Sequence, residues 1–372
     1  MQISTAPKLR TALHHFEDPA SGLNARIALY GSLDHPALGG IRILPYETDE
    51  AADRDAERLA YGMARKAAAL NLPYCGGKTV VRGDPEQIKS PDLWKALGHA
   101  INSLKGLYVG GEDVNMRLRD VTALSRHTRY VVGTLTGCGN PAPYTALGVF
   151  RAMKAAAMHR FGNTHLMGRR ILLQGAGSVG RELASLLAAE EADLTVCDVN
   201  PRHAILLAER HGARIADPAE VMEISSDIFC PCALGPAITA TNVEEIETKI
   251  IVGAANNQLA DNALARTLHA RDITYVPDYL ANAGGLIAGA GEHRSQRDFL
   301  SFDRQAVTND INRIFDLVAG YLKQAETMDM PPLDVCEEYV SRKLGEGDAV
   351  TPAEAGSSSS SAPRGPHGWS PL

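Results

Sequence analysis

At 372 residues the chain exceeds the usual size of one domain, which predicts two. Apolar residues make up 45% and charged residues 22%, enough to bury a core of useful size. A formal net charge of −7 gives no pull toward nucleic acid or anionic membranes, and no run of about 18 apolar residues predicts a membrane span. The first ten residues, Met1 to Arg10, lack the apolar core of a secretory signal, so a cytoplasmic protein is expected.

In chain order, extended segments are predicted at Arg26–Tyr30, Gly40–Tyr46, Lys78–Arg82 and Leu107–Val109. The clearest helix runs from Asp49 to Leu70, with Thr48 as N-cap. Its residues Ala52, Ala56, Leu59, Ala60, Met63, Ala67 and Leu70 recur at steps of three and four, the mark of an apolar face. Gly137–Pro143 breaks the pattern and reads as a hinge or linker. A long helix from Thr145 to about Arg160 follows, then a strand–turn–helix–strand unit from Arg170 to Val199. Further short strands end at Cys232, Gly253 and Val276. This alternation predicts an α/β protein whose C-terminal domain is a Rossmann-type, doubly wound parallel sheet. From Val350 the composition collapses into Ser, Pro, Gly and Ala, so 347–372 is expected to be a disordered tail.

Six cysteines are scattered over the chain and suggest no disulfide framework. The close pair Cys230-Pro-Cys232 has the wrong spacing for a zinc knuckle, and no metal site is expected. Buried thiols beside a strand end are the expected outcome.

Ile171-Leu-Leu-Gln-Gly175-Ala176-Gly177-Ser178-Val179-Gly180 sets G-x-G-x-x-G between an apolar strand and a helix. In a dinucleotide site the first glycine makes the tight turn. The second admits the pyrophosphate, and the third lets helix and strand pack closely. Phosphates then sit at the helix N-terminus, where free amides and the dipole favour negative charge. Asp198 closes a second apolar strand 18 residues past Gly180. An aspartate there can accept from both adenosine ribose hydroxyls and repels a 2′-phosphate, which favours NAD over NADP.

Two lysines stand out. Lys66 lies near the end of the amphipathic helix, and Lys78 follows a turn containing Gly76 and Gly77. Either alone could be a surface ammonium. The glycines before Lys78 suggest a loop that lets backbone approach a ligand. Asp113, after Gly110, Gly111 and Glu112, is a further candidate, equally readable as a loop cap.

Several segments together resemble the glutamate/leucine/phenylalanine/valine dehydrogenase superfamily, on its leucine–phenylalanine–tryptophan branch. They are Leu38-Gly39-Gly40, Gly62–Lys66, Cys75-Gly-Gly-Lys78, Glu112-Asp113-Val114, Gly139–Pro143, Gly175–Gly180, Pro231–Gly235, Gly253–Gln258 and Pro277–Gly285. In order, they cover roughly residues 25 to 345. The resemblance implies a substrate-binding, catalytic and oligomerisation domain over 1–143, a dinucleotide domain over 144–325, a C-terminal helix over 326–346, and a cleft between the domains. It implies reversible oxidative deamination of an L-amino acid to the 2-oxo acid and ammonia with NAD, by a homo-oligomer. Lys66, with the Gly39–Gly40 backbone, would bind the substrate carboxylate. Lys78 would deprotonate the water that attacks the imino acid, its pKa depressed by the neighbouring Lys66 charge. Asp113 would carry protons to and from the amine. Thr145, Asn256 and Asn257 would meet the nicotinamide end of NAD, with Asn282 supporting them.

The side-chain pocket would be lined by Gly111, Leu286 and Gly289. Glycine at two of these positions makes room for a ring, so aromatic amino acids such as Phe or Trp are expected ahead of branched-chain Leu or Val. One departure stands out. The family pattern before the base is Gly-Gly-Gly-Lys or Gly-Gly-Ala-Lys, and Cys75 replaces the first glycine. If that position needs positive φ, cysteine is strained there by about 1–2 kcal/mol, and it adds bulk beside the substrate. A catalytically weak or silent NAD-binding homologue is therefore one alternative. A Rossmann 2-hydroxy-acid dehydrogenase is the other, and it would need a His base paired to an acid.

Overall fold

The computed structural model describes residues 10–346. Its first half contains β1 (Arg10–Asp18), β2 (Leu23–Gly31), β3 (Ala37–Leu44), α1 (Asp49–Ala69), β4 (Cys75–Arg82), α2 (Pro91–Ser103), β5 (Tyr108–Glu112) and α3 (Leu118–Leu124). The strands form one mixed sheet in the order β1-β2-β4-β3-β5. β1, β2 and β4 pair antiparallel, while β3 runs parallel to both β4 and β5.

α1 forms where the sequence predicts it, and the Thr48 hydroxyl accepts from the N–H of Ala51 at 3.1 Å. Its buried face is alanine: Ala52, Ala56, Ala60, Ala64 and Ala67. Small side chains let the helix lie close on β4, and Gly76 completes the fit. A Cβ at Gly76 would stand 2.0 Å from the Ala60 carbonyl oxygen, and one at Gly77 would stand 2.7 Å from the Tyr108 ring. The two glycines before Lys78 thus belong to a strand, not a loop, and they admit protein rather than a ligand. Leu59 and Met63, expected on the buried face, are half-exposed and line the cleft.

Cys75 corrects a second expectation. It is absent from the positive-φ residues and pairs with Ala37 in the parallel β3–β4 ladder. Successive strand residues face opposite sides, so Cys75 and Lys78, three apart, point to opposite faces. The thiol packs in the core between sheet and α2, against Gly31. Neither strain nor bulk falls on the cleft.

The second half contains α4 (Ala142–Phe161), β6 (Arg170–Gln174), α5 (Ser178–Ala189), β7 (Asp193–Cys197), α6 (Pro201–His211), β8 (Arg214–Ile215), a 3₁₀ turn (Pro218–Glu223), β9 (Ile228–Pro231), β10 (Ile250–Ile251), α7 (Leu264–Ala270) and β11 (Thr274–Tyr275). α8 (Asp278–Ala281), α9 (Gly284–Arg297), α10 (Arg304–Asn312), α11 (Ile314–Met328) and α12 (Pro332–Leu344) follow. All six strands run parallel in the order β8-β7-β6-β9-β10-β11. This is the doubly wound arrangement, whose order reverses between β6 and β9 and opens a crevice beyond the strand ends.

Two expected boundaries shift. Residues 326–346 are not one helix: α11 ends at Met328, Asp329 turns the chain at φ +51°, and α12 starts at Pro332. α12 then packs on α1, where Arg65 donates to Glu337 and to Glu346. The hinge expected at Gly137–Pro143 is partly helix, since α4 begins at Ala142. The tail expected at 347–372 lies outside the described residues. Cys230 is buried as expected, but Cys232 is only half-buried, and their sulfurs lie 3.8 Å apart. Among the described residues no helix is long and apolar enough to cross a membrane.

Candidate active site

A cavity of about 650 Å³ opens between the two sheets. One wall comes from the first sheet and α1, and includes Gly39, Gly40, Lys66, Lys78, Gly111 and Asp113. The other includes Thr145, Val179, Asn256, Asn257, Asn282, Leu286 and Gly289. The other residues of the glycine-rich turn, and Asp198, lie outside this enclosed volume.

The first wall holds an ion pair between a buried lysine and a half-buried aspartate. Lys78 is 4% exposed, and its Nζ lies 2.7 Å from Asp113 Oδ2. Asp113 stands just past the end of β5, where Arg42 Nε also reaches it at 2.9 Å. Burial alone would raise the Asp113 carboxyl, but Lys78 and Arg42 outweigh it and hold the group below the usual carboxylate range. Burial lowers the Lys78 ammonium; Asp113 opposes the drop and Arg42 adds to it. Arg42, which sequence reading did not bring to the site, is thus a cation acting on Lys78. For Lys66, burial is the main cause of a fall to about 8, resisted by Asp278 and reinforced by the Lys78 charge.

Lys66 has no hydrogen bond or ion pair among the described residues, so its ammonium is available to an anion in the cleft. Gly39 and Gly40, in β3, line the same cavity. Their carbonyls both accept from the fully buried Tyr108 hydroxyl, at 3.3 and 3.2 Å. A Cβ at Gly40 would stand 2.6 Å from Asp113 Cβ and 3.1 Å from Lys78 Nζ, so only glycine leaves the pair room. Gly40 and Gly111 are register partners in the β3–β5 ladder.

The glycine-rich turn can be tested for fit to a dinucleotide by asking what each missing side chain would meet. Gly175, at φ +100°, would place a Cβ 2.6 Å from the N of Ala233. One at Gly180 would stand 2.1 Å from the Gly175 carbonyl oxygen. At Gly177 nothing lies within 4 Å. The turn is closed by protein on two sides and open on the third, at the uncapped N-terminus of α5. Asp198 fastens this turn: its carboxylate accepts from the N–H of Ala176 at 2.7 Å and of Asn200 at 2.8 Å. Deeper in, Asn282 Nδ2 donates to Asn256 Oδ1 at 2.8 Å, while Asn282 Oδ1 is buried without a partner. Asn282 lines the cavity, and its unpaired buried acceptor marks a polar spot in that wall. These residues fit a nicotinamide dinucleotide.

Sequence reasoning missed several members of the site. Arg42 was within reach, since period two puts it on the face of Gly40. Val132 had no local signal. Its Cγ2 lies 3.3 Å from where a Cβ of Gly111 would stand and 3.2 Å from that of Gly289. Val132 therefore takes part of the space those glycines were expected to leave. No histidine lines the cavity, and the His203–Asp198 pair, 3.5 Å apart, lies at the end of β7. The His–acid base of a hydroxy-acid dehydrogenase is not assembled here. Among the described residues no cluster of His, Cys, Asp and Glu could hold a metal ion.

A doubly wound sheet facing a lysine–aspartate pair across a cleft is the layout of a two-domain dehydrogenase. Family comparison makes the class specific. Residues 11–136 match the model described as Glu/Leu/Phe/Val dehydrogenase, dimerisation domain, and residues 202–337 match Glutamate/Leucine/Phenylalanine/Valine dehydrogenase. The chain is 38% identical to a leucine dehydrogenase of Thermoactinomyces intermedius, over 85% of each chain. It is 36% identical to an L-tryptophan dehydrogenase of Nostoc punctiforme, covering 89% of this chain and 91% of the relative. The crystal structure of L-tryptophan dehydrogenase from Nostoc punctiforme superposes with a TM-score of 0.77 at 33% identity, over 91% of this chain and 96% of that one. The chain belongs to the glutamate/leucine/phenylalanine/valine dehydrogenase family, on the branch of the leucine and tryptophan enzymes. It is an amino-acid dehydrogenase, an oxidoreductase acting on a CH–NH₂ group.

Proposed function

We propose that the protein catalyses NAD-dependent, reversible oxidative deamination of a large apolar L-amino acid, ring-bearing ahead of branched-chain, releasing the 2-oxo acid and ammonia. The observation that carries this reading is the Lys78–Asp113 pair, 2.7 Å apart and lining a cleft whose far wall fits a nicotinamide. NAD supplies the hydride acceptor. Lys66 and the Gly39–Gly40 backbone bind the substrate carboxylate, whose charge holds Lys66 in its ammonium form. Lys78, its proton loosened by burial, removes a proton from the water that attacks the imino carbon. Asp113, 2.7 Å away, takes protons from and returns them to the leaving amine. Thr145, Asn256, Asn257 and Asn282 orient the nicotinamide end, while Gly175 to Gly180 and Asp198 hold the pyrophosphate and ribose. With substrate and dinucleotide bound, the cleft would shield the imine from bulk water and hold the two side by side.

Leu286, Gly289 and Gly111 surround the substrate side chain, and no cationic group among them is available to a side-chain carboxylate. We read residues 1–143 as the substrate domain and 144–325 as the dinucleotide domain. Assembly into a homo-oligomer through the first domain is supported by that domain's match to a family model described as a dimerisation domain. The test is a spectrophotometric panel of the twenty amino acids with NAD and with NADP, repeated in the reductive direction with and without ammonia. Phenylalanine, tryptophan or leucine with NAD should lead, and reduction of the 2-oxo acid should need ammonia. Ammonia-independent reduction, or a lead for glutamate, would overturn the reading.

A further inference from the structure

One buried carboxylate outside the chemistry joins two walls of the cleft. Glu292, in the later half of α9, is 2% exposed, and all its partners are neutral donors. Its Oε2 accepts from the N–H of Gly133 at 2.8 Å and of Cys138 at 2.9 Å. Its Oε1 accepts from the Thr134 N–H at 3.2 Å, the Thr134 hydroxyl at 2.6 Å and Gln296 Nε2 at 3.1 Å. Gln296 also donates to the Val131 carbonyl at 3.0 Å. A buried carboxylate without a counter-charge is tolerated only where donors surround it, so this set has one satisfactory geometry. Gly137 shows how tight it is: a Cβ there would stand 2.0 Å from Glu292 Cδ.

The grip falls on the loop from Gly133 to Cys138, which leads into the segment Gly137–Pro143 read from sequence as a hinge. Val132, Gly133, Cys138 and Gly139 line the cavity on that side. α9 itself presents Gly289, one turn before Glu292, whose missing Cβ would abut Val132. Resting on the amino-acid reading of the cleft, we propose that Glu292 is a positioning residue for the substrate side chain. It fixes the distance between the Val132–Gly139 wall and the Leu286–Gly289 wall, and with it the size of group the enzyme prefers.

Glu292→Gln keeps the shape but turns an amide NH₂ toward N–H donors. The wild type and this variant are compared with phenylalanine and valine, alongside NADH titration by fluorescence and thermal unfolding. The KM for phenylalanine should rise about tenfold in Glu292→Gln, as loss of hydrogen bonds to a charged group implies. The kcat should change by less than about threefold, the phenylalanine-to-valine preference should shrink, and NADH affinity should hold. Gly137→Ala, which displaces the carboxylate from the loop side, should act in the same direction. Leu97→Ala, in the first-domain core away from the cleft, serves as a destabilised control whose preference should not move. If Glu292→Gln does not fold, Thr134→Ala removes one donor and should raise KM about threefold. An unchanged preference in the folded variants, or a change no different from Leu97→Ala, overturns the proposal. A wild type that turns over no amino acid defeats the amino-acid reading first, and this inference with it.

Discussion

Two glycine-rich stretches precede groups that matter, and they use the missing side chain in opposite ways. In β4, Gly76 and Gly77 are filled by the protein itself: α1 backbone on one face, the Tyr108 ring on the other. In the β6–α5 turn, Gly175 and Gly180 are also filled by protein, but Gly177 faces open space. Glycine before a functional residue therefore marks close packing more often than room for a ligand. The distinction is physical: a Cβ that meets backbone threatens the fold, and one that meets nothing threatens only binding.

Substitutions can break that contrast. The largest effect is expected from Gly76→Ala, whose Cβ would stand 2.0 Å and 2.4 Å from backbone atoms of Ala60 and Ala64. Denaturant unfolding should show a loss of about 3 kcal/mol or more, and a stable variant would mean that α1 sits less tightly on β4. Gly177→Ala should leave unfolding within about 0.5 kcal/mol of wild type, while NAD affinity falls about tenfold. Equal damage to stability and binding would erase the difference between the two stretches. Gly111→Ala meets Val132, with Cγ2 at 3.3 Å and the carbonyl oxygen at 3.6 Å, a tight but not prohibitive fit. It should move the ratio of kcat/KM from phenylalanine toward valine by a few-fold, about what one methyl group in an apolar pocket is worth; no movement would remove Gly111 from the pocket. The smallest effect on turnover belongs to Cys75→Gly. Its side chain lies in the core on the face away from Lys78, so kcat should stay at the wild-type value while stability drops by about 1–2 kcal/mol. Faster turnover in this variant would restore the idea that cysteine obstructs the site.

Much of the site was legible because its parts carry strong local patterns. Period 3.6 marks α1, and the unit from β6 through β7 joins an apolar strand to a glycine turn, a helix and an acid. Cleft residues such as Lys66, Lys78 and Asp113 stand in segments whose order is collinear with the family. Elements whose form is set by partners escaped. β1 is a partly exposed edge strand, Arg10–Asp18, fixed by its antiparallel pairing with β2 rather than by its own composition. β8 is two residues long, Arg214–Ile215, and is held only by its parallel pairing with β7. Leu59 and Met63 fit the helical period yet face the cleft, because the alanines beside them are what the close approach to β4 selects. Glu292 and its loop partners lie more than 150 positions apart, as the Gly133 bond shows with a separation of 159. No spacing rule reaches that far.

The role of Lys78 is tested most directly by the steady-state kinetics of Lys78→Ala, with NADH binding followed on the same preparation. Turnover of the best amino acid should fall by about three to four orders of magnitude, the scale of a lost proton-transfer group, with the NADH dissociation constant near that of wild type. Retention of a tenth or more of the activity in a variant that binds NADH normally would contradict it.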